Sequence, residues 1–127
     1  MEPTQLKLFD QILDNLLKTG DIESAAIIST DGLMIRSRMS NSHAEDVFAA
    51  MSATILGAAQ TATAELDKGD LNRIIVETAH GTLIVTGATL TSILSVQTTQ
   101  NASLGLILIE MTKAIEKLKK IVENYNK

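Results

Sequence analysis

Apolar residues recur at helical spacing from the start of the chain. Leu6, Phe9, Leu13, Leu16 and Leu17 form one stripe, so a first helix is expected over about residues 4–19, with Thr4 as its cap and Gly20 as its terminator. The pattern then changes period. Residues 23–30 and 33–39 read as strands, and Asp31-Gly32 between them is a hairpin signal, because such turns call for positive φ. Asn41, Ser42 and His43 close that hairpin and open a second helix over about residues 43–68. Ser42 is its expected N-cap, Glu45 stands three residues on, and Gly69 is its expected stop. Strands are expected at 71–78, 82–88 and 91–98, with His80-Gly81 turning the first of these into the second. A last helix over about 104–124, capped by Ser103 or Asn101, carries Leu104, Leu108, Met111, Ile115, Leu118, Val122 and Tyr125 on one stripe.

The order is therefore α-β-β-α-β-β-β-α. Strands joined by short turns are antiparallel, so five of them with three helices predict an α+β layered domain. No linker, repeat or low-complexity tract interrupts residues 1–127, which read as one domain.

The second helix is unusual. On a wheel of 100° per residue, Phe48, Met51, Ile55, Ala59, Ala62 and Leu66 share a face that should pack on the sheet. The opposite face holds Asp46, Ala50, Ala53, Gly57, Gln60, Thr61 and Ala64. A solvated stripe would normally carry Lys and Glu. Small, nearly uncharged side chains instead let another backbone approach and cost little to desolvate, so this stripe reads as a contact face. The alternative is an Ala-rich helix chosen for propensity, but Gly57 costs about 1 kcal/mol mid-helix relative to Ala and speaks against it. In the third strand, alternation puts Leu71, Arg73, Ile75 and Glu77 on one side. If that strand pairs with its own copy about Ile75, Arg73 lies opposite Glu77 of the second copy, a favourable cross-strand pair. The alternative leaves both charges in solvent.

Composition narrows the function. The chain has 127 residues with 11 Lys+Arg against 15 Asp+Glu, a formal charge of −4, which offers no phosphate-neutralising surface for nucleic acid. There is no Cys, which excludes disulfides and thiolate metal sites and fits a cytoplasmic setting. Aromatics are 2% with no Trp, so base-stacking platforms and aromatic cages are not expected. The N-terminus lacks the apolar run of a signal peptide. Residues 47–64 carry no charge, yet their Ser, Thr and Gln and their few large aliphatics suit a buried helix of a soluble protein better than a membrane span.

Candidate chemistry is sparse. There is no P-loop signature and no G-x-S-x-G elbow, and the two histidines, His43 and His80, have no cluster of carboxylates beside them. No catalytic residue, metal site or cofactor is expected. Arg36, Arg38 and Arg73 are the only arginines, all assigned to strands, which does not suit an arginine finger on a reaching loop. Arg36 and Arg38 read as gatekeepers of an edge strand, or else as a patch for an acidic partner. Lys113, Lys117, Lys119 and Lys120 crowd the last helix, where cations suit the C-terminal dipole.

Taken in order, the IESAAIISTDGLMI hairpin, the AEDVFAAMSATILGAA helix, the GDLNRIIVETAHGTLIV strand pair, the ILSVQTTQNASLG segment and the IEMTKAIEKL helix resemble the Roadblock family, over about residues 6–118. The leading helix separates this pattern from longin domains, which begin with a strand. The chain departs from the family at Ser24-Ala25, where a glycine is expected. The resemblance implies a five-stranded antiparallel sheet with the second helix on one face and the first and last on the other, a profilin- and longin-like layering. It implies homo- or heterodimers whose second helices lie side by side and whose third strands join two sheets. It also implies a regulator or scaffold of Ras-like small GTPases, or a light chain bridging motor and cargo. By carry-over, a GTPase would meet the paired second helices near Asp46, Ala50, Ala53, Gly57, Gln60 and Ala64. The expectation is a non-catalytic homodimeric platform for a small GTPase, with no membrane insertion. Its rivals are a passive structural adaptor and a small-ligand sensor, the latter disfavoured by the dearth of aromatics and convergent polar groups.

Overall fold

The computed structural model describes residues 2–39 and 44–125. The elements follow the expected order: α1 (Pro3–Leu17), β1 (Ile22–Ser29), β2 (Met34–Arg38), α2 (Glu45–Glu65), β3 (Ile74–Thr78), β4 (Gly81–Thr89), β5 (Ser92–Thr98) and α3 (Leu104–Tyr125). All four strand pairings are antiparallel, and the sheet order is β2-β1-β5-β4-β3. β2 and β3 are therefore the edge strands.

Alternation along the strands builds two cores. Ile27, Ile84, Leu94 and Val96 face α1 and α3, meeting Phe9, Leu13, Leu16, Ile107, Met111 and Leu118. Ala26, Ile28, Val85 and Ile93 face α2, which brings Phe48, Ala49 and Leu56. The first core is made of large aliphatics, each contributing about 1.5–3 kcal/mol on burial. The second is thinner and leans on alanines. Beneath α2, the Ser52 and Ser95 hydroxyls, both buried, share a hydrogen bond of 3.0 Å. Each thereby satisfies a group that would otherwise be costly to bury.

Element ends differ from the expectation in instructive ways. α1 starts at Pro3 with Glu2 extended before it, so Thr4 lies inside the helix and does not cap; proline at N1 gives up a donor that has no helical partner anyway. α2 stops at Glu65, short of Gly69. Asp67 takes the left-handed conformation (φ 54°), the Lys68 N–H donates to the Thr63 carbonyl at 3.1 Å, and the Asp67 N–H donates to the Ala64 carbonyl at 3.2 Å, which is the Schellman arrangement. The expected Ser42 cap and the Asn41 to His43 turn lie outside the described residues. The Asp31-Gly32 turn is real, but only Gly32 has positive φ (89°). The Gly32 N–H donates to the Ser29 carbonyl and the Ser29 N–H to the Leu33 carbonyl, a turn followed by a glycine bulge. Gly32 lies against α2, 3.5 Å from the Ala50 Cα to an ideal Cβ position. Gly81 (φ 150°) is required more strictly, because a Cβ there would overlap the Thr98 carbonyl oxygen.

Arg36 and Arg38 are not free gatekeepers. Ile35 is an extra residue at a register shift in β2, and Arg36 and Arg38 point to the α1 face. The Arg36 Nε and Nη2 donate to the two Asp10 carboxylate oxygens at 2.8 and 2.7 Å, and the Arg38 Nε donates to Asp14 at 2.7 Å. The Arg38 Nη1 also lies 3.4 Å from Asp10. The two arginines tie an edge strand to α1 rather than offer a patch to an acidic partner. Hydrogen bonding from Arg36 holds the Asp10 carboxyl below the usual carboxylate range, against the opposing pull of burial, and raises Arg36 itself. A lowered carboxylate contributes stability that is present above the unfolded pKa, about 3.9, and is lost as pH falls through the folded value. Asp10→Asn should thus lower the melting temperature by roughly 3 °C at neutral pH, the range of a half-exposed ion pair. The gap to wild type should shrink once pH drops below about 4. Thermal unfolding of both proteins across pH 2.5–7 measures it.

Candidate functional site

Two surfaces stand out among the described residues, one face of α2 and the outer edge of β3. α2 forms because 21 residues between Glu45 and Glu65 contain Ala at high frequency and no Pro, with Glu45 and Asp46 at the N-terminal end where acidic groups suit the dipole. Only Phe48, Ala49, Ser52 and Leu56 are buried. By length and apolarity alone the helix could cross a membrane; here it lies on the sheet through those four residues.

The roll of α2 differs from the wheel reading. Met51 (51% exposed) and Leu66 (66%) point outward, while Ser52 and Ala49 point in. The buried face is turned by roughly 70° from the expected one, at 100° per residue. Ser52 can be inside because Ser95 accepts or donates to it, a partner that no local pattern reveals. Among the residues expected on the contact face, Asp46, Ala50, Gly57, Gln60, Thr61 and Ala64 are exposed. Ala53 is half-buried beside the α2-facing core and the Gly32 turn. The outward ridge also includes Val47 (62% exposed), Thr54 and Ala58, which were not placed on the contact face, and Met51, which was expected on the packed one.

The ridge has no charge between Asp46 and Glu65. Its threonine hydroxyls are already occupied. The Thr54 hydroxyl donates to the Ala50 carbonyl at 2.8 Å, and the Thr61 hydroxyl to the Gly57 carbonyl at 3.1 Å. Threonines bonded back to their own helix present methyls outward and lose little when water is removed. At Gly57 nothing lies within 4 Å of where a Cβ would stand, so the position is open to an approaching chain.

β3 is shorter than expected. It pairs only with β4, in register Ile75↔Ile84 and Glu77↔Thr82. Arg73 is exposed in the segment before the strand, and Leu71 turns to the α2 side, so alternation does not extend back to it. Ile75 and Glu77 are exposed on the α3 side. Ile75 (37%) and Val76 (36%) leave large apolar side chains exposed on both sides of this edge.

Among the described residues no three His, Cys, Asp or Glu side chains converge to hold a metal. His80 is exposed in the β3–β4 turn. Lys113 pairs with Glu110 at 3.4 Å, and the last turn of α3 contains no basic residue, so the lysines stop short of the carbonyls that they were expected to complement.

Comparison with known proteins agrees with this architecture. The Roadblock/LC7 domain model matches residues 8–98. An uncharacterized protein of Methanocaldococcus jannaschii, MJ1340, is 35% identical over 112 residues, 88% of this chain and 97% of that protein. The fold is similar to that of MglB from Myxococcus xanthus, with a TM-score of 0.89 at 21% identity over 98% of this chain and 94% of that one. It is also similar to a Roadblock/LC7 domain from Streptomyces avermitilis, with a TM-score of 0.85 at 22% identity over 90% and 97%.

Proposed function

The chain belongs to the Roadblock/LC7 domain family, and on that premise we propose that it is a non-catalytic homodimeric platform that binds and regulates a Ras-like small GTPase through its paired second helices. The observation that carries the reading is the outer ridge of α2: a helix with four buried residues, uncharged from Val47 to Ala64, whose threonine hydroxyls are bonded internally. Such a surface gains from being covered and loses little. The free edge of β3, flanked by Ile75 and Val76, supports self-association by strand pairing about Ile75, with Arg73 of one copy near Glu77 of the other. Fold likeness to MglB, described in Thermus thermophilus as a gliding protein, adds a relative of the same shape.

In this reading the nucleotide belongs to the partner. Regulation works by holding the partner's switch region against a rigid surface rather than by supplying a catalytic group. The test is GTP turnover and nucleotide exchange of a candidate Ras-like GTPase with and without the protein. A severalfold change in either supports regulation. Firm binding with neither changed leaves a passive adaptor, and no binding to any such GTPase removes the proposal.

A further inference from the structure

We infer that the end of β4 beyond β3 is a second docking site, which takes an extended, basic segment of a partner protein as an added strand. β3 stops at Ile74, opposite Val85, whereas β4 continues to Thr89 and stays paired with β5 on its inner side through Gly87↔Ile93 and Thr89↔Ser92. The outer side of this last stretch has no strand among the described residues; the segment before β3 touches its start, where the Thr86 hydroxyl donates to the Asn72 carbonyl at 2.9 Å. The two-residue turn Ala79-His80 is closed by the Thr78↔Gly81 pair, and in such hairpins the closing pair exchanges both hydrogen bonds. By alternation, the backbone groups of Gly81, Leu83 and Val85 face β3, and those of Gly87 face outward past it; the Gly87 carbonyl also lies 3.5 Å from the Thr86 hydroxyl.

Three observations single out this edge. Gly87 is exposed, with nothing within 4 Å of an ideal Cβ; a glycine inside a strand marks a place where another backbone can come close. The edge opens into the largest hollow described, about 750 Å³, between Leu71 on the α2 side and Val122 on the α3 side. Leu90, in the β4–β5 turn at its lip, is 99% exposed and packs into neither core. An unpaired edge with an apolar wall on each side suits strand addition, where the main chain provides affinity and alternate side chains provide selectivity. The charges around it are Asp70, Glu123 and Lys119, a net negative surround that favours Lys or Arg beside the apolar residues of the segment. The site does not depend on the paired second helices.

A random-dodecapeptide phage library selected against the whole protein tests this. Enriched peptides should alternate β-branched residues with Lys or Arg and lack Pro. Synthetic copies should shift the backbone amide resonances of Gly87, Ala88 and Thr89. Leu90→Asp should weaken them at least tenfold. Asp70→Lys with Glu123→Lys should turn the selection toward acidic peptides; all three positions are exposed, so the variants keep the fold. Absence of enrichment, shifts confined to α2 or β3, or equal binding by Leu90→Asp overturns the proposal. Gly57→Glu should leave peptide binding unchanged, which separates failure of this site from failure of the platform.

Discussion

Gly57→Glu should convert a dimer into a monomer and abolish capture of a partner while leaving the subunit at least as stable as before. The position is the middle of α2 and faces open space in a single subunit, so a side chain there meets nothing. Replacing a mid-helix glycine by a better helix former is expected to contribute roughly 0.5–1 kcal/mol to the isolated subunit. Between two ridges related by a two-fold axis the same change brings two carboxylates together and buries them without partners. That costs about 3 kcal/mol or more, at least a hundredfold in the dimer dissociation constant. Size-exclusion chromatography with light scattering, thermal unfolding and a pull-down separate these effects. Gly57→Ala is the control, since it adds a methyl and no charge. A Gly57→Glu protein that stays dimeric and still captures its partner would place the contact elsewhere.

The second large effect is at Gly81. Gly81→Val should destabilise the fold by about 3 kcal/mol, lowering the melting temperature by roughly 10 °C. Two causes add. The backbone sits at φ 150°, and the new Cβ would run into the Thr98 carbonyl, part of the adjacent strand rather than a side chain that could swing away. Gly20→Ala separates them. Gly20 has positive φ (98°) but open space around it, so its loss should be only about 1 kcal/mol. Similar losses at the two positions in urea unfolding would mean that the Thr98 contact adds nothing. Because Gly81 closes the hairpin that carries β3, relief of the clash also moves the edge strand, and self-association should fall more than stability alone explains.

The element order was legible because it rests on period. Stripes at 3.6 and alternation at 2 survive small errors, and the breaks at Gly20, Asp31-Gly32 and His80-Gly81 fall where the chain turns. The roll of α2 was not. Hydrophobicity favours Met51 and Leu66 as buried and Ser52 as exposed, yet a serine becomes a core residue once a second serine 43 positions away completes its bond. That pairing is tertiary and leaves no local signal. The misreading shifted the outward ridge toward Ala53 and away from Val47 and Met51, although Ala50, Gly57 and Thr61 fall on it in both descriptions.

Arg36 and Arg38 carried a signal that period alone did not decode. Asp10 and Asp14 are one helical turn apart, and Arg36 and Arg38 share one side of a strand, so both pairs present matching charges to a facing element. Complementary charge at i, i+4 on a helix and i, i+2 on a neighbouring strand could have placed α1 over β2. The truncation of β3 was hidden for another reason. Leu71 fits the alternation by sequence, but it joins the core under α2, and the chain leaves the strand direction to bring it there.

The Ser52–Ser95 bond sets how α2 responds to load. A purely greasy seam can slip sideways with little loss, since one methyl replaces another. Here rotation of α2 about its axis would strand two hydroxyls away from water, about 1–3 kcal/mol for each. The helix is a rail bolted at one point rather than a cushion, so a partner of the proposed platform would meet a shape that is already set, with little ordering entropy left to spend.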